Sequence, residues 1–198
     1  MSSILRLSIL AIICLQLAKA APKSSNKQHN CQEFSKNVTF KDSEAIGIWH
    51  LLHVRNEKLN SSGESYCVEF TNIAAEERKN LEERIGKYIE NLKWDNLLMK
   101  MQIPCSIMKS NRTRDYYLEK LEGEGSYRTL QMPPPTAKLD LAEFHRYQMR
   151  LKLVENQYLA MMDCHEKFVF ILAKQPPTSK DLDERIKKII DAYWPEEN

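Results

Sequence analysis

The stretch Ile46–Lys58, IGIWHLLHVRNEK, decides how this chain is read. A glycine and then a tryptophan open an apolar run that ends in charge, at Arg55-Asn56-Glu57-Lys58. Residues 48–55 read as a strand, with Trp49, Leu51 and His53 on one face and His50, Leu52 and Val54 on the other. Gly47 lacks a Cβ and lets the backbone bend sharply where the strand begins.

Seven more runs of the same kind follow, at 65–73, 96–103, 114–122, 126–132, 143–154, 157–164 and 168–174. The clearest is HRYQMRLKL, residues 145–153. Tyr147, Met149, Leu151 and Leu153 share one face, while Arg146, Gln148, Arg150 and Lys152 share the other. One dry face and one wet face are the pattern of an antiparallel sheet around a single interior. The breaks have hairpin length: Asn60–Gly63, Gly123–Gly125, Glu155-Asn156 and His165–Lys167. Pro133–Pro135 cannot continue a ladder and marks a longer loop. The expected fold is therefore all-β, an eight-stranded antiparallel up-and-down β-barrel, since closure removes exposed edges.

Two segments read as helices. TSKDLDERIKKIIDAYW (178–194) opens with Thr178 and Asp181 at capping-box spacing and carries Leu182, Ile186, Ile189 or Ile190, and Tyr193 as one apolar stripe. A single stripe requires a packing surface, and the outer wall of the barrel supplies one. AAEERKNLEERIGKYIENL (74–92) places Leu81, Ile85, Tyr88, Ile89 and Leu92 on one face, with Gly86 in its middle.

The first twenty residues have a basic Arg6, an apolar stretch from Leu7 to Leu17 and the small-x-small end Ala18-Lys19-Ala20. This is the form of a secretory signal cleaved after Ala20, which leaves residues 21–198 as one domain. No later segment is long and apolar enough to span a bilayer. Cleavage removes Arg6 and Lys19 from 29 basic residues, leaving 27 against 27 acidic ones. A chain near neutrality has no strong pull toward nucleic acid or anionic lipid. It also removes one of five cysteines, leaving Cys31, Cys67, Cys105 and Cys164. In an oxidising compartment these four imply two disulfides, in any of three connectivities. Three N-x-S/T acceptors, at Asn37, Asn60 and Asn111, fit a secreted glycoprotein.

Taken together, the pieces resemble the lipocalin family over nearly the whole mature chain. They are a cysteine about sixteen residues before Gly47-Ile48-Trp49, a late strand ending in cysteine (YLAMMDC), a last strand running into a basic residue and a proline (FILAKQP), and a C-terminal helix. The resemblance implies that Trp49 plugs the closed end of the barrel and that Lys174, where the family more often has arginine, crosses the indole. It implies a Cys31–Cys164 disulfide, which leaves Cys67–Cys105 as the second pair. Two features depart from the family pattern. Val154-Glu155-Asn156 stands where Thr-Asp-Tyr is common, and the 74–92 helix replaces a short hairpin.

On this reading Cys164 faces outward, so Leu159 and Met161 face in. Lys174 reaches in over Trp49, so Phe168, Phe170 and Leu172 do too. Val68 and Phe70 oppose Cys67 and Glu69. With Leu51, His53, Tyr147, Met149, Leu151 and Leu153 they form an expected barrel lining. An eight-stranded barrel either fills with side chains or holds one small ligand. This lining suits an apolar molecule, with His53 and Tyr147 available to its polar end.

The expected function is an extracellular carrier or sequestering protein for a fatty acid, retinoid, sterol or pigment. The competing reading is a secreted interaction protein with a filled barrel, acting through its loops or the extra helix. No H-E-x-x-H, G-x-S-x-G or Cys-x-x-Cys pattern occurs, and the five histidines are scattered. No catalytic residue, metal ligand or cofactor is expected.

Overall fold

A computed structural model describes residues 31–36, 39–55, 66–108, 113–134, 136–140, 142–176 and 180–193. Residues 1–20, read above as a secretory signal, and Asn37, Asn60 and Asn111, read as glycosylation acceptors, lie outside these residues. Eight strands close into one barrel in sequence order, every neighbouring pair antiparallel. They are β1 (Gly47–Arg55), β2 (Cys67–Asn72), β3 (Leu97–Ile103), β4 (Arg114–Lys120), β5 (Ser126–Gln131), β6 (Gln148–Val154), β7 (Tyr158–Asp163) and β8 (Val169–Ala173). The short helix α1 (Asp42–Ala45) precedes β1, α2 (Ala75–Ile85) lies between β2 and β3, and α3 (Lys180–Tyr193) follows β8.

The barrel interior is a continuous apolar core in which Phe70, Met99, Leu118, Leu151, Leu159 and Leu172 are fully buried. The outer wall is apolar in two places, each covered by a helix. Ile186 and Ile189 of α3, with Phe34, pack on Val154, Tyr158, Ala160, Met162, Val169 and Ile171. This cover explains why β7 is buried on both faces, where a sheet wet on one side would alternate. Leu81 and Ile85 of α2, followed by Ile89 and Leu92, pack on Leu97, Tyr117 and Leu130. The inserted helix therefore covers the wall over β3–β5. It ends earlier than its periodicity predicts, at Ile85, and a 3₁₀ turn at Gly86–Tyr88 carries the chain on. Thr178 of the expected capping pair lies outside the described residues.

Two register shifts interrupt strict alternation. One falls between Leu97 and Met99, so that Leu97 faces α2 while Met99 enters the core. The other falls between Leu51 and His53. The expected strand at 143–154 begins only at Gln148. Residues 142–147 run beside β5 with sparse bonds, from Thr129 N–H to Tyr147 O (2.8 Å) and from Gln131 N–H to His145 O (3.1 Å). Their most buried side chain, Arg146, is turned outward to a carboxylate on β4.

That carboxylate is Glu119, which is 3 % exposed. It forms a short ion pair with Arg146, lies 3.8 Å from Arg128, and accepts the Lys93 N–H at 3.0 Å. Arg146 also donates to the carbonyls of Glu90 and Asn91. One buried charge thus pins the end of the helical insertion and the segment before β6 to the barrel wall. Both disulfides are formed, Cys31–Cys164 with Cα atoms 5.5 Å apart and Cys67–Cys105 at 5.3 Å. Among the described residues no helix is long and apolar enough to cross a membrane.

Candidate functional site

The barrel is sealed at one end, starting from Gly47. Its φ of +113° is one that side-chain-bearing residues rarely adopt, and an added Cβ would lie 3.0 Å from the Lys174 ammonium. The turn it permits brings Trp49 back under α1. The indole is 2 % exposed and its Nε1 donates to Ala45 O at 2.6 Å. Lys174 Nζ sits 4.0 Å from the centre of the ring and donates to Ile46 O at 2.7 Å. Partial burial lowers the Lys174 pKa from the usual lysine value.

Phe40 and Ala45 complete the apolar floor. The α1 segment is tied down by charge. Asp42 accepts from Lys120 Nζ at 3.0 and 2.9 Å and from the buried Tyr127 hydroxyl, and the Phe40 N–H donates to Glu124 at 2.8 Å. Burial first, then its bond to Asp42, push the Tyr127 phenol pKa well above the ordinary range, so it remains a neutral donor.

Above this floor the barrel is hollow. A cavity of about 400 Å³ opens at the opposite end. Its size falls in the usual range of roughly 300–1,000 Å³ for small-molecule sites. Seven of the residues expected to line the barrel are on the cavity wall: Leu51, Val68, Tyr147, Met149, Met161, Phe170 and Leu172. Phe70, Leu151 and Leu159 face inward but are fully buried in the core beneath the cavity, and Leu153 packs against that core. None of these four is on the cavity wall.

Two expected lining residues are displaced. His53 is not on the cavity wall. The shift at Leu51/His53 inserts one residue, so His53 pairs with outward-facing Ile171 and Val54 pairs with inward-facing Phe170. One extra residue exchanges the faces of everything beyond it, and Val54, expected outside, is buried. Phe168 precedes β8 rather than belonging to it, and its ring meets Phe170 edge-on at 6.3 Å between centroids.

The wall also contains residues absent from the expected lining. Met101, Ile103, Tyr116, Thr129 and Gln131 come from β3–β5, Tyr66 stands at the entrance to β2, and Asp163 ends β7. One of these was reachable from alternation alone, since Asp163 lies two residues beyond Met161. Tyr116 was not, because Tyr116 and Tyr117 are adjacent and equally suited to a wall.

At the mouth, Tyr147 lies between two imidazoles, with ring centroids 5.9 Å from His145 and 4.4 Å from His165. Tyr66 and Tyr147 are among the few large hydrophobic residues left exposed. Among the described residues no group of His, Cys, Asp and Glu could hold a metal ion. The arrangement is that of a container, dry and methionine-rich inside with hydroxyl, amide and carboxylate groups toward its opening. The closed eight-stranded barrel is compatible with a lipocalin-like fold. No protein-family model matches the chain, and no curated protein matches it in sequence.

Proposed function

We propose that this chain is a secreted, lipocalin-like binder that carries or sequesters one small, largely apolar molecule in the barrel. The observation that carries the reading is the cavity of about 400 Å³, closed below by Trp49 and open above, with a mainly apolar wall. A packed barrel interior normally leaves few voids larger than a water, so an opening of this size at the end of a core is a binding feature. A cavity of this order accommodates one small molecule. The two disulfides agree with an extracellular setting. The activity proposed is binding, without catalysis.

The test is titration of the oxidised chain with an apolar fluorescent probe. We expect saturable one-to-one binding with a change in Trp49 emission. Leu172→Trp or Met161→Trp, which fill the cavity, should weaken binding at least tenfold while the far-ultraviolet dichroism stays that of a β-barrel. Absence of saturable binding by the oxidised wild type rejects the reading. The alternative of a filled barrel acting through the inserted helix has less support. The apolar face of α2 is spent on the barrel wall, and the space inside is open.

A further inference from the structure

Among the described residues, the cavity wall carries one formal charge, and it is negative. Of the described residues that line it, Asp163 is the only carboxylate, and none is lysine, arginine or histidine. Asp163 faces inward because it pairs across the ladder with Met149. Its Oδ1 is fixed by two backbone donors, the N–H groups of His165 (2.8 Å) and Glu166 (3.1 Å). Among the described residues its Oδ2 has no hydrogen-bond partner. One oxygen thus holds the side chain in place while the other is left for a ligand. Tyr66 and Tyr116 lie on the same wall, while the Tyr147 ring is packed against His145 and His165.

We propose that the bound molecule is an amphiphilic amine, its protonated nitrogen received by Asp163 and the tyrosine rings and its apolar body directed toward Met101, Met149 and Met161. This rests on the binding function proposed above and narrows it. A carboxylate-headed ligand meets the opposite of what it needs. With no cation on the wall its charge would be desolvated without compensation and would face Asp163. An ammonium gains a charge-assisted bond to the carboxylate and cation–π contact with the rings. Each histidine at the mouth has a carboxylate beside it: His165 is 2.7 Å from Glu166 and His145 is 3.9 Å from Glu143.

The test is calorimetric titration of the oxidised full chain at neutral pH with decylamine, decanol and decanoate, which share a tail and differ in head group. Decylamine is expected to bind about tenfold more tightly than decanol, the order of a hydrogen bond to a charged group, and decanoate most weakly. Asp163→Asn retains an oxygen for the two backbone N–H groups. It should erase the preference for decylamine over decanol, and decanol binding to the variant reports that it is folded. Decanoate binding as tightly as decylamine, or decylamine indifferent to Asp163→Asn while decanol still binds, overturns the amine assignment and leaves the apolar-binding function standing. If none of the three binds saturably, both proposals fail.

Discussion

Gly47 shows at the scale of one residue why Gly-x-Trp is more than a composition cue. A side chain there meets two penalties, a backbone at φ +113° and an ammonium 3.0 Å from the new Cβ. Gly47→Ala should destabilise by about 1–3 kcal/mol, the usual cost of a residue held in sparsely populated backbone space, as read by urea unfolding. Lys174→Met removes a cation from the indole face and a donor from Ile46 O and should cost about 1–2 kcal/mol. Lys174→Arg should restore most of it.

Lys152 makes a prediction about pH. Its ammonium is 4.5 Å from the Phe34 ring centre, and burial lowers its pKa from 10.5 to about 8. The unfolded chain then holds more protons between those two values, so this group's contribution to stability rises with pH across that window. Urea unfolding of the wild type and Lys152→Gln at either side of it should show the wild type gaining on the variant as pH rises. The opposite slope would contradict the burial.

At the scale of elements, α2 and α3 are parts of the wall rather than appendages. Ile85 is fully buried between α2 and the barrel. Ile85→Ala should cost about 2–5 kcal/mol, the range for large-to-small changes in a core, and leave probe binding nearly unchanged. Removal of the whole insertion would bare Leu97, Tyr117 and Leu130 and take the Glu90 and Asn91 carbonyls from Arg146. Aggregation is the expected result. Glu119→Ala leaves the largely buried Arg146 without its carboxylate and should cost about 3–5 kcal/mol. A double variant with Arg146→Met should recover part of that loss, measured as a coupling energy in a double-mutant cycle. The strands and both helices were legible as elements, since period 2 and period 3.6 differ clearly in this chain. The ends were not. Residues 143–147 continue the alternation of β6 in sequence, yet the strand begins only at Gln148, and Arg146 is held by Glu119 instead.

For the whole molecule, the two disulfides act at different distances. Cys31–Cys164 spans 133 residues and fastens the N-terminal segment to the end of β7, whereas Cys67–Cys105 spans 38 and ties β2 to the loop after β3 beside the mouth. Loop-closure entropy places the loss on removing either at roughly 3–5 kcal/mol, larger for the longer loop. Paired Cys→Ser variants followed by urea unfolding check the order. Loss of Cys67–Cys105 should also weaken probe binding, because Cys67 is on the cavity wall.

Alternation and turn chemistry by themselves pointed to eight strands and a closed antiparallel barrel, and the resemblance carried by Gly47, Trp49 and Lys174 implied the tryptophan floor and many of the inward faces. Alternation and turn chemistry are local rules, written within a few residues of where they act. The tertiary structure alone decided that the barrel is hollow only toward its mouth, that His53 turns out while Asp163 turns in, and that α2 lies on the wall. A bulge shifts register by one residue without altering the pattern of the flanking sequence, and a cavity is the volume left after eight strands have packed. Neither quantity exists until residues distant along the chain are brought together.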